Sequence, residues 1–382
     1  MMAVFVLTIL MIAAVFSYSV FSTRDSYIEL RNASHASSLA GVGALAHDDL
    51  LTGDTAKVLT RITIARSSAV QVAQANQLKG LMVSMDPPNP TNDPAGNVVF
   101  GTLDKELGGT FTPLNLAGPF PADTARINAV RVEVVHPKRP SVKVKMYAHI
   151  DHNVIGFKPT NAVNAPVIPI ALFSSPTIPA VNTFENALLT ATDSARFDYT
   201  SKLFGAGTDG IAEVKIEYGA PSGDPTVIST QVLNIGSATA ADVQTQVAGG
   251  ISVANVSGAP FGGQFTLVDP VPSLNVPTYA LTPAEFAAAF GPVSTPNQAI
   301  PRVFPLYSGP PGANAVVTGF IAARVVSVDT SDPTRVTVTI QPTLVSSPLA
   351  VTHDVCPVPA GAPSFNRYIG KLRIAATMTD AP

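Results

Sequence analysis

The sequence predicts an α+β protein: a long N-terminal apolar α-helix and a second helix form a hairpin, and a large, mostly antiparallel β body with sandwich-like modules follows. Three observations favour this architecture. The opening residues are apolar and uncharged, the hydrophobic period then stays helical to about residue 80, and beyond a proline-rich segment the period changes to two. The 34 prolines and 27 glycines supply the many turns that a β body needs.

The first helix is predicted from about Met2 to about Asp48. No side chain from Met1 to Thr23 is charged, and the chain continues past Arg24 at helical spacing without a proline. An apolar run of about 20 residues can cross a bilayer as a helix. A secretory signal peptide is the alternative, but it needs a basic residue ahead of the apolar run, and none precedes this one.

The second half of this helix is rich in alanine, serine and glycine, small residues that let neighbouring helices approach closely. We therefore interpret the helix as an assembly helix that packs in a bundle of copies. The alternative is a plain membrane anchor followed by an ordinary helix. The candidate assembly residues are its large apolar and aromatic side chains, namely Val4, Phe5, Leu7, Ile9, Leu10, Ile12, Val15, Phe16, Val20, Tyr27, Leu30, Leu39, Val42 and Leu45.

A second helix follows a break at Thr52-Gly53-Asp54. Asp54 or Thr55 is the expected N-cap, because short polar side chains satisfy the free N–H groups of a first turn. The helix is predicted to end near Lys79-Gly80. Its apolar stripe comprises Leu59, Ile62, Ala65, Ala69, Val72 and Ala73.

The proline-rich segment 87–94 predicts a linker or entry loop, and the β body begins after it. Thr239 and Thr282 each start a capping-box pattern that predicts a short helix, the second with a proline at its first position. We expect three units: a helical hairpin (1–80), a first β module (81–165) and a second β-rich module (166–382). The candidate strands are 97–101, 129–135, 142–149, 167–173, 211–218, 227–235, 265–268, 302–306, 315–328, 335–341, 344–352 and 368–375.

Composition narrows the classes of partner. Charged residues make up only 13% of the chain, against about 25% in typical soluble proteins, which indicates a surface covered by membrane, neighbouring subunits or a sugar coat. The net charge of −3 leaves no basic face for a nucleic acid. The single Cys356 excludes an intrachain disulfide framework, and we expect it to be a small buried side chain rather than a thiol nucleophile.

Candidate sites of chemistry are sparse, and we predict no catalytic, cofactor-binding or metal-binding residues. His149, Asp151 and His152 are potential metal ligands, but strand alternation puts His152 on the other face, so we favour a polar strand end. The acidic segments 193–198 and 329–332 lack EF-hand spacing and are interpreted as turns rather than calcium sites. The glycine-rich segment 205–210 lacks the lysine of a phosphate-binding loop and is interpreted as a loop.

Several segments carry a family resemblance. Residues 27–31 (YIELR), leading into 38–45 (SLAGVGAL), resemble the N-terminal signature of TadG-like proteins of the tight-adherence (Flp) pilus system. Segments of the body resemble large TadG-related proteins of planctomycete-type bacteria: 98–104 (VVFGTLD), 110–113 (TFTP), 128–132 (NAVRV), 235–236 (IG), 241–243 (ADV), 300–307 (IPRVFPLY) and 338–342 (VTIQP).

The resemblance implies an exported, prepilin-like or pilus-assembly protein without catalytic residues. If the numbering starts at the mature N-terminus, a basic leader has already been removed, as in type IV pilin-like proteins. Major type IV pilins have a glutamate at the fifth position, where this chain has Phe5. Because Phe5 carries no charge, assembly would have to rest on apolar contacts rather than on a charge pair.

These observations predict a structural subunit of an extracellular filament at the cell surface. The chain is expected to sit in the inner membrane before assembly, to form a helical homo-oligomer through its N-terminal helices, and to contact other pilus components. One alternative is a minor, membrane-anchored pilus-assembly protein that does not polymerise. An anchored carbohydrate-binding or hydrolytic module is a further alternative, disfavoured because a sugar-binding platform of aromatic side chains is not visible in a chain with no tryptophan and eight tyrosines.

Overall fold

A computed structural model of the chain describes residues 2–78, 80–83, 85, 89–103, 107–121, 123–175, 181–237, 239–268, 273–291, 300–309, 312–353, 366–375 and 377–380. The side chains of residues 2–8, 107–108, 140 and 377–380 lie outside this description. Cys356, whose burial the sequence predicts, also lies outside it. The described residues form a mixed α+β fold with a large β-rich body, as predicted.

The helices of the described residues include the predicted hairpin, two capped helices in the body, two shorter helices and two 3-10 turns. They are α1 (Met2–Leu45), α2 (Thr55–Ala75), α3 (Phe184–Thr190), α4 (Ala240–Gly249), α5 (Val253–Val256), α6 (Pro283–Phe290) and the 3-10 turns Asp48–Leu50 and Thr124–Arg126.

Helices α1 and α2 pack closely side by side. Gly41 of α1 lies so near α2 that a Cβ atom there would be 3.2 Å from the Cβ of Ala69. Asp54 is the N-cap of α2, and its Oδ1 accepts a hydrogen bond from Ala56 N at 2.8 Å, which confirms that part of the prediction. The predicted end near Lys79-Gly80 is too late, because α2 ends at Ala75 and its neighbour Asn76 adopts an extended conformation. Lys79 lies outside the described residues.

The strands of the body fall into three sheets and two small hairpins. They are β1 (Gln77–Leu78), β2 (Leu81–Met82), β3 (Val98–Leu103), β4 (Leu107–Pro113), β5 (Ala129–His136), β6 (Arg139–Asp151), β7 (Val154–Phe157), β8 (Ile170–Phe173), β9 (Ala195–Asp198), β10 (Leu203–Ala206), β11 (Val214–Gly219), β12 (Ile228–Val232), β13 (Phe265–Thr266), β14 (Leu274–Pro277), β15 (Arg302–Ser308), β16 (Asn314–Asp329), β17 (Arg335–Pro342), β18 (Val345–Ser346), β19 (Ala350–Thr352), β20 (Ile369–Ala375) and β21 (Thr377–Asp380).

The first sheet supports the helical hairpin. Its strand order is β18-β20-β6-β5-β3-β4-β21, so the end of the chain joins the sheet that begins at β3. The prediction places those C-terminal strands in the second module, because no local pattern reports on pairing across so many residues. The division into domains stays a prediction. One buried core unites α1, α2 and this sheet, and includes Leu30, Val42, Ile62 and Val130.

The second sheet has the order β14-β16-β15-β8-β12-β11-β17. Strand β16 also pairs with β17, so the strands from β16 to β17 form a closed ring. Helices α3, α4 and α6 share a core with it that includes Val243, Phe286 and Ile340. A smaller sheet, β13-β7-β19, contributes to a third core around Phe157 and Phe265. Most pairings are antiparallel, but β8 with β15, β11 with β12, β18 with β20 and β4 with β21 are parallel.

The proline-rich segment 87–94 contains a packed entry loop in its described part. Asn92 is 2% exposed; its Nδ2 donates to Phe100 O and Leu114 O, both at 2.8 Å, and its Oδ1 accepts from Phe100 N at 2.8 Å. The φ angle of Asn92 is 58°, a left-handed conformation that asparagine tolerates better than most residues. This side chain therefore fixes the entry of the chain into β3.

Candidate assembly surface

The N-terminal part of α1 extends away from the body over residues 9–21, the segment that we call the arm. Every residue of the arm is exposed. Its large hydrophobic side chains range from 49% exposed at Val20 to 76% at Tyr18. At about 3.6 residues per turn, Ile9 to Phe21 present apolar side chains on every side of the helix. A helix that is apolar all round is typical of one that becomes buried on all sides.

The structure divides the predicted assembly residues into two groups. Those in the arm are exposed, and Tyr27 beyond it is 49% exposed. The side chains of Val4, Phe5 and Leu7 lie outside the described residues. The exposed members of the prediction are Ile9, Leu10, Ile12, Val15, Phe16, Val20 and Tyr27.

The prediction is wrong for the second half of α1. Leu30, Val42 and Leu45 are fully buried, and Leu39 is partly buried, in the core that α1 forms with its own sheet. Ser34 is buried as well, and its Oγ donates to Val132 O at 3.0 Å. The small residues of this half therefore allow α1 to approach β5 and α2 of the same chain.

Among the described residues, no helix combines the length and the apolar character that crossing a bilayer requires.

The helical hairpin is joined to the second sheet by a buried polar cluster at Asp48. Oδ1 of Asp48 accepts hydrogen bonds from Thr343 Oγ1 and Leu344 N, both at 2.7 Å. Oδ2 pairs with Arg324 and accepts from the Tyr199 hydroxyl. Asp48 and Arg324 are each 5% exposed. Burial, followed by the negative charge of Asp48, raises the pKa of Tyr199, so its hydroxyl remains a donor.

Aromatic rings complete this cluster. The guanidinium of Arg324 lies 4.1 Å from the ring centroid of Phe197, a cation–π distance, and the ring of His47 lies 4.3 Å from that of Tyr199. Sequence patterns did not reveal the cluster, and they placed Asp48 only at the end of a predicted helix. Its partners are 151 to 296 residues away along the chain, so no motif spacing could have revealed it.

A cavity of about 460 Å³ lies beside this cluster, between the α1–α2 turn and the β9–β10 region. Its lining carries both signs of charge, from the cations Lys57, Arg61 and Arg196 and the carboxylates of Asp49 and Asp209. Burial raises the pKa of Asp49, but hydrogen bonds and charge from His47 and Arg61 outweigh that effect and leave the pKa below its usual value. Asp49 and Arg61 form an ion pair at 3.0 Å that ties α2 to the turn.

His149 and Asp151 lie at the C-terminal end of β6, as predicted, and both are buried where β6 pairs with β20. Nε of Arg373 lies 3.3 Å from the carboxylate of Asp151, and Nδ1 of His152 lies 2.7 Å from Asn366 O. Burial first, and then the charges of Arg373 and His152, lower the pKa of His149 to about 4 although Asp151 opposes the shift. In the described part of the chain, no group of three or more His, Cys, Asp or Glu side chains is arranged to hold a metal ion.

Segment 329–332 forms a turn, as its composition predicts, whereas most of segment 193–198 forms strand β9 and a turn follows that strand. Oδ1 of Asp198 accepts from Thr200 N at 2.8 Å, and Oδ1 of Asp332 accepts from Thr334 N at 2.9 Å. The glycine-rich segment 205–210 begins inside β10 and becomes a loop at Gly207, whose φ angle is 131°.

No family model, curated protein or solved structure matches the chain. The resemblance to TadG-like proteins therefore rests on the sequence segments alone. Exposed apolar surface of the extent seen in the arm is rare on soluble monomers. The arm is therefore the candidate surface for contact with a partner.

Proposed function

We propose that this chain is a structural subunit of an extracellular filament, in which the arms of neighbouring copies pack together and the β bodies lie outside. The observation that carries the proposal is the division of one continuous helix into two environments. Its second half is buried in its own body, while residues 9–21 are exposed and apolar on every side.

Burial of the arm supplies the driving force for assembly. Burying one large apolar side chain contributes about 1.5–3 kcal/mol, and the arm carries several that its own body leaves uncovered, including Leu10, Val15 and Phe16. A helix covered on all sides needs several neighbours rather than one. Contacts that are not related by a closed symmetry extend into an open helical filament.

The attachment of α1 to the body suits such a role. The second half of the helix shares a core with the first sheet, and Asp48 joins the turn that follows to Arg324 of the second sheet. Forces on the arm would therefore reach both sheets through buried contacts. The proposal assigns no catalytic step to the chain, and it includes a surface location and association with a membrane before assembly.

The test compares one substitution in the arm with the same substitution on the body. Val15→Asp removes an apolar side chain that is 69% exposed in the arm, and Val181→Asp does the same at a body position that is 62% exposed. Negative-stain electron microscopy and light scattering of the full chain are expected to show filaments for the wild type and for Val181→Asp, and short or no filaments for Val15→Asp. Filaments of unchanged length for Val15→Asp would contradict the proposal. Absence of filaments from purified wild-type protein and from sheared cell surfaces would favour the minor, non-polymerising subunit instead.

A further inference from the structure

Gln341 of β17 places its side-chain amide at the centre of a cage of oxygen atoms. Nε2 lies 3.2 Å from both carboxylate oxygens of Asp209 and 3.0 Å from Oε1 of Glu213. The backbone oxygens of Ala195 and Ile211 lie at 3.1 and 3.2 Å. Gln341 itself is fully buried.

The amide nitrogen of Gln341 cannot donate a hydrogen bond to every oxygen around it. A primary amide nitrogen donates two hydrogen bonds, whereas the cage presents five oxygens. The other end of the same amide, Oε1 of Gln341, is buried without a hydrogen-bond partner among the described residues. An unpaired buried acceptor is costly, and an excess of oxygens around one point is the arrangement that a hard cation requires.

We propose that this cage is a calcium site in which a Ca²⁺ ion takes the centre of the cage and the Gln341 amide withdraws from it. The withdrawn amide rotates so that Oε1 faces the ion, and Gln341 changes from donor to ligand. The ligands are then both carboxylate oxygens of Asp209, Oε1 of Glu213, Oε1 of Gln341 and the carbonyl oxygens of Ala195 and Ile211. Ca²⁺ takes about 6–8 oxygen ligands at about 2.3–2.6 Å, so the cage contracts by about 0.6 Å on binding.

Neighbouring hydrogen bonds hold the ligands in place. Oδ1 of Asp209 accepts from Ile211 N and Oδ2 accepts from Phe197 N, both at 3.1 Å. Oε2 of Glu213 accepts from Ser194 N at 2.7 Å, which leaves Oε1 for the ion. Asp193 accepts from Gly210 N at 2.6 Å and thereby fixes the loop that carries Asp209. Lys57 donates to the backbone oxygen of Asp209 rather than to its carboxylate.

The ion has a route to the cage, because Asp209 and Ile211 also line the cavity beside the Asp48 cluster. Calcium fits better than magnesium. Mg²⁺ demands near-octahedral geometry and keeps several of its waters, whereas this cage supplies a bidentate carboxylate and protein carbonyls in a dry position. The site lies where β9, the loop before β11 and β17 meet, so occupancy would stabilise the second sheet.

Equilibrium dialysis of the full chain against radioactive Ca²⁺, after treatment with chelating resin, tests the proposal. We expect one saturable Ca²⁺ per chain in the wild type and at least tenfold weaker binding by Asp209→Asn. The matched control is Asp329→Asn, which removes a carboxylate that caps an exposed turn, and its binding should equal that of the wild type. No saturable binding to the wild type, or equal affinity in Asp209→Asn, would overturn the site.

Gln341→Glu provides a test that does not depend on loss of binding. A third carboxylate in the cage should lower the midpoint of thermal unfolding in EDTA, and 1 mM CaCl₂ should restore it by several degrees, with little effect of 1 mM MgCl₂. If the cage is only a hydrogen-bonding pocket for an amide, Gln341→Glu is destabilised whether or not Ca²⁺ is present. That result, or an equal response to Mg²⁺, would overturn the assignment to calcium.

Discussion

Asp48, in the turn that follows α1, forms a buried ion pair with Arg324 of β16, 276 residues later in the chain. Removing one partner of such a pair leaves the other charged and unpaired in the interior. We expect Asp48→Ala to lower the free energy of unfolding by about 3–5 kcal/mol, because Thr343 and the Leu344 N–H also lose their acceptor. Urea unfolding followed by circular dichroism measures this loss.

The exposed pair between Asp332 and Arg335 serves as the control. Its atoms are 3.2 Å apart, and both side chains are about one-third exposed. Exposed ion pairs contribute about 0–1 kcal/mol, so Arg335→Ala should leave the unfolding midpoint almost unchanged. Equal losses for the two variants would mean that the Asp48 cluster is hydrated rather than buried.

A second prediction concerns the contact between α1 and α2. A Cβ at Gly41 would lie 3.2 Å from Ala69 and 3.5 Å from Val130, so a larger side chain there has no space. We expect Gly41→Leu to separate the helices and to cost about 1–3 kcal/mol or more. Hydrogen exchange should then show faster exchange of α2 amides.

Gly43 is the comparison position on the same helix, since a Cβ there would meet only Leu372 at an ordinary contact distance of 3.5 Å. Alanine favours a helix over glycine by about 1 kcal/mol. Gly43→Ala should therefore be neutral or stabilising in the same unfolding experiment. Destabilisation by Gly43→Ala would show that close packing extends to the other side of α1.

Local patterns predicted a large part of this fold. Asp54, Thr239 and Thr282 are N-caps because their side-chain oxygens bond to amides two or three residues ahead, a short-range geometry that sequence spacing records. The period-two pattern located β5 to within one residue at its C-terminal end. Each predicted strand segment contains at least part of a described strand, although several boundaries differ.

The features that the sequence did not predict depend on distant contacts. Strands β9 and β10 span only four residues each, and α3 spans only seven, so none of them has a clear period. The burial of Leu30, Val42 and Leu45 in their own chain could not be distinguished from burial between copies, since both require the same apolar side chains. The oxygen cage around Gln341 likewise joins residues of three separate segments.

The third prediction is a dependence of stability on pH. Burial holds the pKa of His149 at about 4, below the value of about 6.5 expected in the unfolded chain. Between these values the unfolded chain binds a proton that the folded chain does not, so the free energy of unfolding falls as the pH decreases from about 6.5 to about 4. Each unit of difference corresponds to about 1.4 kcal/mol, which gives a loss on the order of 3 kcal/mol at the low end.

His149→Gln tests this assignment, because glutamine does not titrate in this range. The variant should lose less stability between pH 7 and pH 4.5 than the wild type, whatever its stability at pH 7. The pKa of His152 is also lowered by burial, so part of the pH dependence should remain in the variant. An unchanged slope in His149→Gln would assign the effect to other groups.

The last prediction distinguishes an arm that is surrounded by neighbours from one that has a single contacting face. Met11 and Val20 are nine residues apart, which puts them on opposite sides of the helix at about 3.6 residues per turn, and both are exposed. If the arm is buried on all sides in a filament, Met11→Glu and Val20→Glu should each raise the protein concentration needed for assembly by tenfold or more, since each would bury an unpaired carboxylate. If the arm uses one face, as in a pair of helices, only one of the two substitutions should have this effect.

Sedimentation of filaments over a range of protein concentrations measures the concentration that each variant needs for assembly. Leu189→Glu, at an exposed position of α3, controls for the added charge. Because both arm variants leave the buried half of α1 intact, an equal and large effect of the two would identify the arm as the core of the assembly and not as one side of it.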